Sequence, residues 1–200
     1  MEKMRWNEAW PYRRQPSVIT LGFFDGLHRG HRRLVEETSG LSQECGAETV
    51  MMSFEPHPTH VLAEKHPVPL IYGLPEKEWV VGETGKIDHL VIMRFEPELM
   101  DMEPEQFVAK ILVENFHAAG VVIGSNFRFG RQNRGNAERM LELCRIHGMR
   151  CSVVSEVQDE GLRISSSRIR RLLREGRMEE AGRLLGRPYF MLGTVEKGRG

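Results

Sequence analysis

The chain has 200 residues, 28 of them Lys or Arg and 28 Asp or Glu, so its formal net charge is zero and its pI about 7.1. That length allows one substantial domain with a core of its own; the charge balance excludes a protein that grips nucleic acid through bulk positive charge, though not one with a local basic pocket. Hydrophobic residues make up 40% and mean hydropathy is -0.40, ordinary for a soluble globular chain, and no apolar run approaches the ~20 residues of a membrane span. Residues 1–16, "MEKMRWNEAWPYRRQP", lack an apolar h-region, so they make no secretory signal and read as an N-terminal extension. Cys45, Cys144 and Cys151 are an odd number without C-x-x-C spacing, and they read as reduced thiols of a cytoplasmic protein.

Short β-branched runs alternate with helical patterns along the chain. Strands are expected over 17–22, 48–54, 88–93, 119–124 and 149–157. Helices are expected over 31–46, 75–85 (weakened by Gly82), 104–116 with Pro104 in its first turn, 136–148, 166–176 and 178–186. This rhythm implies an α/β fold, Rossmann-like and doubly wound, with a mainly parallel sheet of about five strands covered on both faces. Ligands of such sheets bind beyond the carboxyl ends of the strands. Residues 187–200, "RPYFMLGTVEKGRG", read as the start of a further strand, apolar enough to want a partner and suggestive of a longer parent chain.

The segment "TLGFFDGLHRGH" (20–31) sits at one carboxyl end and carries unusual chemistry. Gly22 and Gly26 allow a tight turn, and Gly30 allows a ligand or another backbone to come close. The helix beyond offers free N–H groups and a positive dipole end to an anion. His28 and His31, three apart, project from one side of that entry and suit a polyphosphate; a capped turn with surface histidines is the plainer alternative. His57-x-x-His60 repeats the spacing, but no cysteine or carboxylate pattern completes a tetrahedral set, so no protein metal centre is expected. Neither a Walker A loop nor the dinucleotide glycine fingerprint is present.

Three further stretches carry candidates. In "FEPHP" (54–58), Phe54 and His57 can wall a flat ring, with Pro56 and Pro58 stiffening the exit; a rigid strand-ending loop explains it equally well. "GSNFRFGRQNRG" (124–135) mixes aromatics, amides and arginines between glycines, a composition suited to a nucleotide or flavin phosphate. In "ISSSRIR" (164–170) one serine is an N-cap, while three serines with arginines exceed what a cap requires and form an anion site. Arg168 and Arg170 are two apart and cannot both face one ligand along a regular helix.

"GFFDGLHRGH" and "ISSSRIR" together resemble the two signatures of the H-x-G-H nucleotidyltransferases. "SFEPHP" and "GSNFRFGRQNRG" narrow the resemblance to bacterial FAD synthetase, the FMN adenylyltransferase module of the bifunctional riboflavin kinase/FAD synthetase. "LLGRPYFMLGTVEKGRG" is similar to the junction where that family's kinase domain begins. The resemblance implies a transferase domain over 17–186, a truncated kinase-like start over 187–200, and no riboflavin kinase activity. It implies the joining of ATP and FMN to give FAD and pyrophosphate, with Mg²⁺ held mostly by phosphates and water. His28, His31 and Arg170 would be catalytic. Gly22, Phe23, Phe24, Asp25, Gly30, Gly124, Ser165, Ser166, Ser167 and Arg168 would meet ATP. Phe54, Pro56, His57, Pro58, Asn126 and Phe127 would border FMN. Two departures stand out: many relatives carry Asp at the position of Asn126, and "LIYGLPEKEWVVGETG" lacks the usual threonine-rich start, so no residue is carried over there. The partners implied are these small molecules, with neither nucleic acid nor membrane. Two other readings compete: a transferase of the same superfamily with a different acceptor, and a non-catalytic flavin or nucleotide binder.

Overall fold

The computed structural model describes residues 1–5, 15–55, 68–196 and 198. Six strands form one sheet: β1 (Glu2–Arg5), β2 (Ser17–Leu21), β3 (Glu48–Glu55), β4 (His89–Arg94), β5 (Ala118–Gly124) and β6 (Arg150–Val154). Every neighbouring pair is parallel, in the order β1-β4-β3-β2-β5-β6. The helices are α1 (Arg29–Cys45), α2 (Leu74–Glu83), α3 (Pro97–Met100), α4 (Pro104–Gln106), α5 (Ala137–Ile146), α6 (Ser166–Arg174) and α7 (Met178–Leu185). Two residues each form β7 (Gln158–Asp159) and β8 (Leu162–Arg163), a small antiparallel hairpin.

Side chains alternate across a strand, so each of β2 to β6 feeds both cores. Val18, Met51, Leu90 and Val122 join one buried cluster with α1, α2, α6 and α7, whereas Ile19, Met52, Val91 and Ile123 join a second with α5 and the segment after α4. Burial on both faces is why these strands read as unbroken apolar runs.

The sheet has one strand more than expected, because Glu2–Arg5 pair with His89–Ile92 along the edge. The sequence places these residues in the extension, since "EKMR" shows no apolar pattern to signal a strand. A second difference lies after Pro104, where α4 continues as a π-helix, Phe107–Asn115. Its i→i+5 bonds lengthen the repeat, so Phe107, Ile111, Leu112 and Phe116 all fall on the buried face. Residues 187–196 form no strand; Tyr189 and Phe190 pack on Tyr72 instead. From β2 the chain winds through β3 to β4 on one side and passes to β5 and β6 on the other. The crevice between β2 and β5 is therefore the switch point where α/β sheets bind ligands.

Candidate active site

The turn after β2 adopts a backbone that few residues tolerate. Phe24, Gly26 and Leu27 have φ of 51°, 81° and 37°. At Gly26 a side chain would also meet Ile71 Cδ1 at 2.9 Å, so glycine is required there on two counts. Gly22 does not adopt a positive φ, so its glycine is not demanded by the turn itself. The side of Gly30 that a Cβ would fill holds the His28 ring, 3.1 Å away, rather than a ligand or a second backbone. His28 is the N-cap of α1: its Nδ1 accepts from the His31 N–H at 3.3 Å. That cap starts the helix at Arg29, two residues earlier than expected. The two imidazoles stack with centroids 3.6 Å apart and planes 15° from parallel. Nδ1 of His31 is buried without a hydrogen-bond partner among the described residues.

Both rings are held neutral. Burial lowers His28 to about 4, with Arg163 and Arg187 adding repulsion. Burial also takes His31 well below the ordinary histidine value, helped by His28 and Lys77. The folded state thus resists protons that the unfolded chain accepts below about 6.5. Stability should be full above that pH and fall as pH drops from 6.5 toward 4, His28 alone contributing about 3 kcal/mol of loss. Thermal melts across this window should show a shallower decline for His28→Gln than for wild type. A bound polyphosphate works in the opposite direction, favouring the charged rings.

The second motif forms the start of α6. Ser165 caps it, its Oγ accepting from the Arg168 N–H at 3.3 Å. Ser166 Oγ donates to the Asp25 carbonyl (3.0 Å), and Ser167 Oγ accepts from Arg170 (3.3 Å). The two arginines separate as helix geometry requires. Arg170 lines the cleft and pairs with the buried Asp25 carboxylate at 3.0 Å. Arg168 turns away and donates to the carbonyls of Asp159, Leu162 and Arg163, bracing the β7–β8 hairpin.

A cleft of about 330 Å³ brings most of the candidates together: Gly22, Phe24, His28, Gly30, His31, Gly124, Asn126, Phe127, the three serines and Arg170. Asp25 is excluded from it. Its carboxylate accepts from the Ile71 and Tyr72 N–H groups at 2.9 and 3.3 Å as well as from Arg170, so the acid anchors the motif rather than facing the cleft. Phe23 and Phe54 border a separate pocket of about 30 Å³, their rings 5.4 Å apart. Pro56, His57 and Pro58 lie outside the described residues. The sequence reading misses Lys77, whose buried Nζ donates to the Phe23 carbonyl (2.8 Å) and to Ser53 (3.0 Å). A lone lysine in a weakly patterned helix gives no signal of such a contact. Ser125, Glu156 and Arg163 also line the cleft and were equally silent in sequence.

Asn126 is exposed at the cleft, and no hydrogen bond of its side chain to the backbone is found among the described residues. The turn is closed instead by the Phe127 N–H donating to the Gly124 carbonyl (3.0 Å). An Asx-type turn role is thereby disfavoured. Asn126→Asp should raise the Michaelis constant of an anionic substrate, more strongly at low salt where screening is weak. Kinetics of both proteins at two ionic strengths check this; equal, salt-independent constants would eliminate phosphate contact.

Residues 11–168 match the family model described as FAD synthetase. The chain belongs to the FAD synthetase family. A relative is the bifunctional riboflavin kinase/FMN adenylyltransferase of Bacillus subtilis (strain 168), 33% identical over 184 residues, or 91% of this chain and 57% of that protein. The chain thus spans little more than half the length of that relative. A protein named FAD synthetase from Listeria monocytogenes serovar 1/2a is 31% identical, with 91% of this chain and 73% of the relative covered. A solved structure titled macrolide-efflux protein, from Streptococcus pneumoniae, superposes with a TM-score of 0.84 at 26% identity, covering 94% of this chain and 61% of that one. No helix among the described residues of this FAD synthetase family member is long and apolar enough to cross a membrane.

Proposed function

We propose that this chain transfers AMP from ATP to FMN, releasing pyrophosphate and forming FAD. The observation that carries the reading is the convergence of a stacked His28–His31 pair and the serine-capped start of α6, with Arg170, in one cleft at the sheet's switch point. An oxygen of the FMN phosphate attacks the α-phosphorus of ATP, and the bond to the β-phosphate oxygen breaks. That oxygen is already anionic near neutral pH, so no deprotonating base is needed. What the protein must supply is alignment of two anions and neutral-to-positive partners where charge builds. His28 and His31 would hold the α-phosphate. Ser165, Ser166, Ser167 and Arg170 would take the departing pyrophosphate. Gly22 and Gly124 would leave room for the nucleotide, with Phe24 as part of the wall behind it. Asn126 and Phe127 would meet the flavin phosphate, and Phe54, with Phe23 beside it, the ring. Glu156, paired with Arg163 at 2.9 Å, is the carboxylate among the described residues of the cleft. That donor set fits a Mg²⁺ carried in on ATP and held mainly by phosphate oxygens and water, where it would neutralise the transferring phosphates. The three free thiols support a reducing, cytoplasmic setting.

Chromatography of reactions with FMN, ATP and Mg²⁺ should show FAD and pyrophosphate in equal amounts. Exchange of labelled pyrophosphate into ATP in the presence of FAD should report the reverse step. A chain that binds flavin yet supports neither reaction would be the non-catalytic binder. Product from phosphopantetheine, nicotinate mononucleotide or glycerol phosphate in place of FMN would assign a different acceptor.

A further inference from the structure

The motif turn is held by its own carbonyl oxygens: that of Phe24 accepts from the Leu27 N–H within the turn, and those of Phe23, Asp25, Gly26 and Leu27 are gripped by groups distant in sequence. Lys77 takes the Phe23 carbonyl and Ser166 the Asp25 carbonyl, at 2.8 and 3.0 Å. The next two carbonyls share a single partner. Nη2 of Arg187 donates to the Gly26 carbonyl at 2.5 Å and Nη1 to the Leu27 carbonyl at 3.1 Å, across 160 residues of chain or more. Both residues have a positive φ, 81° at Gly26 and 37° at Leu27, and at Leu27 a side chain makes that conformation strained. Such a conformation persists only where its surroundings over-determine it. The residue that follows immediately is His28, the cap of α1 and one half of the imidazole stack.

Arg187 is itself locked in place. Its guanidinium lies over the Tyr72 ring, 5.1 Å from the centroid. Tyr72 in turn stacks on Tyr189 at 5.7 Å and touches Phe190 at 4.9 Å. The Leu192 N–H donates to Glu76 of α2 at 3.0 Å, so the chain after α7 is laid along the body of the domain. Gly182 permits this path: a side chain there would stand 3.3 Å from the Arg187 carbonyl. Arg187 lies outside the residues that match the family model, in the segment that the sequence reading places at the start of another domain.

We propose that Arg187 is a positioning residue for adenylyl transfer: its forked guanidinium fixes the Gly26 and Leu27 peptides, and through them the place of His28 at the head of α1. The inference rests on the proposed adenylyltransferase reading. A planar fork reaches two carbonyls at once, whereas an ammonium is a point donor on a flexible stem, so lysine is a poor replacement. Loss of the fork lets the imidazoles shift relative to the phosphates, and small misplacements of a catalytic group carry large rate penalties.

Arg187→Lys and Arg187→Met should each lower kcat for FAD formation about 10–100-fold, with Michaelis constants for ATP and FMN within about three-fold of wild type. Thermal unfolding establishes that each variant is folded, the charge-conserving lysine being the milder change. A kcat within about two-fold of wild type, or Michaelis constants that worsen in step with kcat, would overturn the proposal. A readout independent of activity is the titration of the His28 imidazole followed by NMR. In Arg187→Lys the charge is kept but the turn is released, so the midpoint should rise from about 4 toward the ordinary histidine value. An unchanged midpoint would overturn the positioning role. If the wild-type chain forms no FAD, the adenylyltransferase reading falls, and the titration alone decides the part played by Arg187.

Discussion

His31→Ala should lower the turnover number of FAD formation by about 10²–10³-fold, with little change in FMN affinity. Its ring is stacked against His28 at 3.6 Å and meets the edge of Phe24 at 5.3 Å, which leaves it little freedom to reorient when substrates arrive. Nδ1 has no hydrogen-bond partner among the described residues although it is buried. An orphaned polar atom of this kind is costly unless a ligand satisfies it. A neutral imidazole is a modest donor to a ground-state phosphate. It gains strength as negative charge accumulates on the transferring group, because the same charge draws a proton onto the ring. The loss should therefore fall on kcat rather than on binding. Steady-state kinetics with a flavin titration measure both quantities, and unchanged turnover would reduce His31 to a packing residue.

Asp25→Ala should destabilise the protein by about 3–5 kcal/mol, because it leaves a largely buried arginine without its counter-charge. The Arg170 side chain is 14% exposed and that of Asp25 4%. Burial pushes the Asp25 carboxyl up, while the N–H groups of Tyr72 and Ile71 and the Arg170 charge pull it back. Removing the carboxylate orphans those three donors together and frees residues 71–72 from the motif turn. For a chain of 200 residues the loss amounts to a fall in Tm on the order of 10 °C. Asp25→Asn keeps an acceptor for part of this set and should lose less. Denaturant titration of the two variants checks the order, and equal stability of Asp25→Ala and wild type would contradict the anchoring role.

Much of the fold could be read from local pattern. The strands from Ser17, Glu48, His89 and Ala118 announce themselves because burial on both faces makes most of their positions apolar; that from Arg150 is read from its β-branched end, "SVV". Ser165 is legible as a cap, since N–H groups at a helix start need an acceptor whatever the tertiary context. Glu2–Arg5 were illegible: an edge strand takes its hydrogen bonds from one neighbour and needs no apolar code. The π-helical stretch was hidden for a related reason, since the apolar spacing over 104–116 fits a regular helix nearly as well.

The amino-acid sequence by itself determined which chemical groups the two motifs carry and that they stand at a strand end and a helix start. Hydrogen bonding and periodicity act over three or four residues, and they suffice for that much. Only the tertiary structure decided which arginine of "ISSSRIR" faces the cleft, because Asp25, 145 residues away, selects Arg170. The same holds for Gly30, whose missing side chain is explained by the His28 ring, and for Lys77 and Arg187, which hold the turn from other elements. A carbonyl oxygen accepts from any donor that the packed fold brings within reach. The identity of that donor is a property of the packing, and no local pattern encodes it.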